Sequence, residues 1–162
     1  MASTPTELTI QLRPERRVDV IDVNKRVRDI STDFLAEYQR ALYCSHHTTA
    51  GFLEETICNR LGQSNDSVHQ FLEPFQELFP FGAEYRHDQM HLRRELSPAQ
   101  RQNEPRNADS HLTFISSGLE NCVTYPSDPS RPDFFIDLDG ANKDNHDLRE
   151  RTTTDLGYND ER

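Results

Sequence analysis

Thr6-Glu7-Leu8-Thr9-Ile10-Gln11-Leu12 puts Leu8, Ile10 and Leu12 on one side of an extended chain and polar residues on the other. That is the period of two of a half-buried strand. Arg13-Pro14-Glu15 follows as a turn, and Arg17–Val23 (Arg-Val-Asp-Val-Ile-Asp-Val) alternates in the same way. The two segments are expected to pair as a hairpin. Val23, Val27 and Ile30 then fall at helical spacing, with Asp22 or Asn24 available as the cap.

Further along, the short apolar run Ala41-Leu42-Tyr43-Cys44 inside Arg40–His47 reads as a central strand with His47 at or near its end. Between Glu54 and Phe79, Val68, Phe71, Leu72, Phe75 and Phe79 are spaced by three and four, which predicts an amphipathic helix. Gly62–Asp66 breaks it from the preceding helix, and Pro74 is expected to kink or split it. Glu84–Ser110 is a polar excursion rich in arginine, with a short helix predicted at Pro98–Asn103. Strand patterns return at His111–Ile115, Asn121–Tyr125 and Phe134–Leu138, separated by a turn at Gly118 and by the proline-rich loop Pro126–Pro132. After Gly140 the apolar groups are only Ala141, Leu148, Leu156 and Tyr158, so residues 141–162 read as a polar, flexible tail. The pattern predicts one α+β domain over residues 1–140, a mixed or antiparallel sheet packed with helices.

At 162 residues the chain has room for one such domain. Hydrophobic residues make up 33 % of it, against roughly 45–50 % apolar residues in globular chains, so the core is expected to be thin. A net charge of −10 argues against nucleic acid or an anionic membrane as partner. No apolar run is long enough to span a bilayer, and Met1-Ala2-Ser3-Thr4-Pro5-Thr6 lacks the features of a signal peptide. Cys44, Cys58 and Cys122 are odd in number and widely spaced. They predict a reducing compartment, most simply the cytoplasm, and buried structural thiols.

Of seven histidines, His69, His91 and His146 fall in polar surroundings and read as surface residues. The others lie in compact motifs: Ser45-His46-His47-Thr48-Thr49-Ala50-Gly51, Tyr85-Arg86-His87-Asp88, and Asn107-Ala108-Asp109-Ser110-His111-Leu112. Three neutral imidazoles can hold a borderline-soft divalent metal and leave a fourth position open. A carboxylate can fix each tautomer by accepting the other ring N–H, and Asp88 and Asp109 lie close to His87 and His111 in sequence. The spacing of the three is no linear metal motif. In a strand His46 and His47 point to opposite faces, so only one is expected to join a given site.

These motifs, in this order after the N-terminal strands, resemble the YjbQ-like proteins, a family of small α+β trimers described as secondary thiamine-phosphate synthases. The resemblance spans roughly Leu8 to Gly140. It implies His47, His87 and His111 as ligands of a divalent metal, zinc above all, with magnesium an option for a pyrophosphate substrate. It further implies Asp109, with Asp88, as acid/base or orienting carboxylates, and a homotrimer. The chain departs from the family pattern in three places. Glu54-Glu55-Thr56 replaces an Asn-Glu-Asn segment, residues 89–106 look like an insertion, and Arg131–Gly140 stands where a Gly-Thr-Trp-Gln segment is characteristic.

Chemistry on a pyrophosphate-bearing substrate requires cations on the departing phosphates and exclusion of water. Arg86, with Arg93, Arg94 or Arg106, and the hydroxyls of Thr48 and Thr49 are the candidate contacts. The arginines read equally well as a solvated insertion paired with its own acids. The expectation is a metal-binding enzyme of the YjbQ-like type, a transferase in thiamine biosynthesis or a metal-dependent hydrolase or lyase, acting on a small phosphorylated or heterocyclic substrate. The alternatives are a non-catalytic oligomeric ligand-binding or metal-binding module and a scaffold domain of a longer protein.

Overall fold

In the computed structural model, which describes residues 4–160, the strands and helices run in the order β1 (Thr6–Leu12), β2 (Asp19–Asp22), α1 (Val23–Ile30), α2 (Phe34–Glu37), β3 (Arg40–Ser45), β4 (Ala50–Gly51), α3 (Glu55–Arg60), α4 (Asn65–Leu78), α5 (Pro98–Asn103), α6 (Ala108–Ser116), β5 (Cys122–Pro126), β6 (Phe134–Asp137) and β7 (Arg151–Tyr158). Two 3-10 turns, Arg86–Asp88 and Met90–Leu92, lie between α4 and α5. Met1–Ser3, where the reading against a signal peptide begins, and Glu161–Arg162 lie outside the described residues.

The strands form two antiparallel sheets, β1-β7-β3-β5 and β2-β6-β4, and the helices pack against them, so the fold is α+β. One core lies under the four-stranded sheet around Ile10, Val27, Leu35, Tyr43, Phe52 and Tyr125. A second, around Val20, Leu72, Phe114 and Ile136, joins the three-stranded sheet to α4 and α6. Of the two candidate caps it is Asp22 that caps α1, accepting from the Asn24 and Lys25 N–H groups. Gly62 and Gln63, both at positive φ, make the break before α4, which then runs through Pro74 as one helix of 14 residues.

The N-terminal hairpin does not form. β1 pairs with β7, Leu8 opposite Asp155, whereas β2 pairs with β6, Val20 opposite Ile136. The segment between them carries the chain from one sheet to the other, tied where Glu15 N–H donates to the buried Asp19 carboxylate. The C-terminal region is likewise no free tail, because β7 lies in the interior of the larger sheet between β1 and β3. His111–Ile115, expected as a strand, belongs to α6, whose Ser110, Thr113, Phe114 and Ser117 face inward at helical spacing. Its β-prone sequence is overridden by that packing. Gly118 at φ +75 follows α6 in the left-handed conformation that ends many helices. The cysteines are less buried than expected: Cys44 and Cys58 are half-buried and Cys122 is exposed.

β7 turns Arg151, Thr153, Asp155 and Gly157 inward. The Asp155 carboxyl is fully buried, its Oδ2 has no hydrogen-bond partner, and its Oδ1 receives only a long 3.4 Å bond from Thr153. Burial, and then the charge of Asp133, push its pKa up to about 8. The folded state therefore holds a proton that the unfolded chain loses near the ordinary value of 3.8. Stability contributed by this group is full below that value and declines as pH rises toward 8, by up to about 1.4 kcal/mol per pH unit. Asp155→Asn is expected to flatten this decline and to stabilise the protein at pH 8, as read by urea unfolding across the window. A variant that unfolds more readily at pH 8 would contradict the assignment.

Candidate functional site

His47 follows β3 in a tight loop held from both sides. Ser45 Oγ donates to Ala50 O at 2.6 Å and accepts from His47 N–H at 3.1 Å, and Asn121 Nδ2 donates to His47 O. The His47 ring faces β7, where its Nε2 accepts the Thr152 backbone N–H at 2.8 Å. The neutral ring thus carries its proton on Nδ1. Burial, and then the charges of Arg151, His46 and Arg149, lower its pKa to about 4.

His111 projects from α6, and its ring lies 5.2 Å, centroid to centroid, from that of His87 on the first 3-10 turn. His87 Nδ1 is 2.9 Å from Asp88 Oδ1, the orienting contact that the adjacent positions suggested. The same oxygen accepts Ala108 N–H at 3.1 Å, so Asp88 ties the polar excursion to the start of α6. His47 and His111 line one groove of about 260 Å³, together with Thr48, Thr49, Asn107, Asp139, Arg149 and Arg151. His46 also borders this groove, contrary to the one-face expectation, although its Nε2 sits 2.8 Å from Thr154 Oγ1.

The walls of the groove are a buried ionic network. Arg151 grips Asp137 through Nε at 2.7 Å and Nη2 at 2.9 Å, and also donates to Asp139 O and Thr49 Oγ1. Asp139 accepts from Arg17 Nη1 and Asn107 Nδ2, each at 2.7 Å, and lies 3.0 Å from Arg149 Nη2. These carboxylates come from the stretch that stands where the family pattern has Gly-Thr-Trp-Gln. Arg149 is held more loosely than Arg151: its Nη2 pairs with Asp139 by charge, and its buried Nε makes no hydrogen bond.

Several sequence-derived assignments change here. Asp109, expected as general base, is clamped between Arg17 at 3.2 Å and Lys143 at 2.9 Å, and lines a separate cavity of about 80 Å³ beside Phe81. Both of its carboxylate oxygens are engaged by these cations. Arg86 is exposed and does not border the histidine groove. Arg93 pairs with Glu95 and Glu104, the solvated-insertion reading of these arginines. Thr48 and Thr49 do border the groove, Thr49 buried and Thr48 exposed.

A divalent ion on His47, His87 and His111 does not fit this arrangement. The Thr152 N–H occupies the one free lone pair of neutral His47, which removes that ring from the ligand set, whereas Asp88 on His87 Nδ1 leaves the His87 Nε2 open. Among the described residues no three His, Cys, Asp or Glu side chains form a group that could hold a metal. The groove residues that sequence reasoning missed are Asp139, Arg149 and Arg151, which lie at or beyond the margin of the predicted domain. The Arg-x-Arg spacing before a threonine run, which places both side chains on one face of a strand, was the available signal.

Among the described residues no helix is long and apolar enough to cross a membrane. Neither a family model nor a curated protein matches the chain. Solved structures do. A YbjQ-like protein of unknown function from Sulfolobus solfataricus P2 aligns at TM-score 0.59 and 15 % identity, over 97 % of this chain and 99 % of that one. A hypothetical protein from Aeropyrum pernix K1 aligns at 0.58 and 19 %, over 96 % and 99 %. An uncharacterized conserved protein of the yjbq/upf0047 family from Clostridium acetobutylicum aligns at 0.54 and 16 %, over 91 % and 97 %. Over nearly its whole length, β7 included, the chain has the fold of the YjbQ-like proteins.

Proposed function

We propose that the groove between His47 and His111 binds the phosphate of a small phosphorylated substrate and that the protein is an enzyme acting on it. The observation that carries this reading is Arg149, whose guanidinium stands at the wall of a groove that also presents His111 and two threonine hydroxyls, with Nη2 3.0 Å from Asp139 and Nε without a hydrogen-bond partner. A guanidinium edge of this kind matches two phosphate oxygens, and its hydrogen bonds are charge-assisted. A buried donor left unpaired is costly, and a bound anion removes that cost.

Arg149 then takes the place that Arg86 held in the sequence reading, and the His87–Asp88 pair stands behind His111 as a proton-handling unit. His87 gives its Nδ1–H to Asp88 and so keeps a lone pair on Nε2. The specific form of the proposal is the family's reaction, condensation of a pyrimidine pyrophosphate with a thiazole phosphate.

Binding and turnover are tested separately. Pyrophosphate titrated into the protein is expected to raise its melting temperature, and Arg149→Ala to weaken that binding by roughly tenfold or more, as for loss of a charge-assisted hydrogen bond of about 1.5–3 kcal/mol. Incubation with the two thiamine precursors, followed by pyrophosphate release, then tests catalysis. Stabilisation without product would favour the non-catalytic binding module, and no stabilisation by pyrophosphate or phosphate would overturn the site itself.

A further inference from the structure

The loop that presents His47 is anchored between the ends of β3 and β5, where two of the three cysteines face each other. Cys44 on β3 is directly opposite Cys122 on β5. Ser45 N–H donates to Asn121 O at 2.7 Å, so the neighbouring position is the hydrogen-bonded one. The alternation of an antiparallel ladder then makes Cys44 and Cys122 a non-hydrogen-bonded pair. At such pairs the α-carbons are about 4.5 Å apart, inside the range a disulfide spans. The side chains lie on the same face of the sheet, and their Sγ atoms are 2.6 Å apart.

That face looks away from the apolar core: the inward residues of β3 are Ala41 and Tyr43, and Cys44 and Leu42 are only half-buried. Cys122 is exposed, and β5 is an edge strand, so a small reagent reaches it without unfolding. Cys58 is placed differently, packed against both cores with its thiol donating to Leu53 O.

We infer that Cys44 and Cys122 form a reversible disulfide that covalently closes the β3–β5 end from which the His47 loop springs. The oxidant is a low-molecular-weight disulfide such as oxidised glutathione. Cys122, as thiolate, attacks one sulfur of that disulfide, forming a mixed disulfide and expelling one small thiolate. Cys44, as thiolate, then attacks Cys122 Sγ, the Cys44–Cys122 bond forms, and the second small thiolate leaves. The two protein thiol protons end on the two small thiols. The protein is oxidised by two electrons and the reagent reduced by two. The order follows from exposure, and burial together with the neighbouring Cys122 thiol pushes the Cys44 thiol up to about 12. Once Cys122 is in the mixed disulfide, that thiol no longer opposes ionisation of Cys44.

The test uses the full chain at defined ratios of oxidised to reduced glutathione, with alkylation, intact mass and peptide mapping. Two of the three thiols are expected to disappear together with loss of two hydrogens, Cys44 and Cys122 are recovered in one cross-linked peptide, and Cys58 stays alkylatable. Reduction with dithiothreitol restores both thiols. Cys44→Ser is expected to stop at a glutathione adduct on Cys122, and Cys122→Ser to leave Cys44 largely unreacted. Persistent glutathione adducts in the wild-type chain, a Cys122–Cys122 dimer, or independent reaction of all three thiols would overturn the inference.

Discussion

Ending the chain at Glu150 is expected to abolish cooperative folding, although it removes a mostly polar sequence with Leu156 and Tyr158 as its apolar residues. β7 hydrogen-bonds to β1 on one side and to β3 on the other, with Asp155 opposite both Leu8 and Tyr43. Without it, β1 has no neighbour and β3 keeps only β5 in the larger sheet, so the backbone groups of two long strand edges lose their partners. Ile10 and Leu12, buried beneath that sheet, lose the strand that holds them in place. The truncated chain should show no cooperative transition in thermal or urea unfolding and should bind a hydrophobic dye. A cooperative transition in the truncated chain would mean that β1 and β3 close the gap by pairing directly.

The second large effect concerns a single side chain in the same strand. Arg151→Ala is expected to destabilise the protein by about 3–5 kcal/mol, the range for removing one partner of a buried ion pair. Arg151 is 5 % exposed and Asp137 0 %, and the guanidinium meets that carboxylate through two nitrogens. Burial raises the Asp137 pKa and the Arg151 hydrogen bonds oppose that rise, so the variant leaves either an unpaired charge or a newly protonated acid in the interior. The double variant Arg151→Met with Asp137→Asn is expected to recover part of the loss, because no unpaired charge remains. Arg13→Ala, which breaks the exposed pair with Glu150, is the control and should change stability little. Equal losses in Arg151→Ala and the double variant would show that volume and the remaining hydrogen bonds, not the unpaired carboxylate, dominate.

Both results depend on residues that sequence patterning placed in a flexible tail. Periodicity identifies a strand by its apolar face, and in β7 the buried face is Arg151, Thr153, Asp155 and Gly157. Two of these positions are matched by partners elsewhere in the chain: Asp137 and Thr49 for Arg151, and the Tyr38 ring packed on Gly157. The run Thr152-Thr153-Thr154 carried the one local hint, since β-branched residues favour strands. At α6 the bias ran the other way, and a β-prone segment became a helix that buries Phe114.

The candidate site divides in the same manner. His47, His87 and His111 stand out in the sequence by their motifs, and the fold does bring His47 and His111 to one groove and His87 beside His111. Their bonding partners were not legible, because Thr152 N–H reaches His47 from a strand far away in sequence. Arginine frequency points to the insertion for the cations of the groove, but there Arg93 pairs with nearby acids.

By itself the sequence determined the α+β class, the strands β1, β2, β3, β5 and β6, a helix α1 starting near Asp22 or Asn24, the break before α4, and the histidine motifs. Each depends on a few consecutive residues whose polarity alternates or whose side chains cap their own helix. Only the tertiary structure decided the split into two sheets, the placement of β7, the pairing of Cys44 with Cys122, and the Arg149–Arg151–Asp139 wall of the groove. In each case the partner that makes the arrangement favourable lies outside the local window in which sequence periodicity operates.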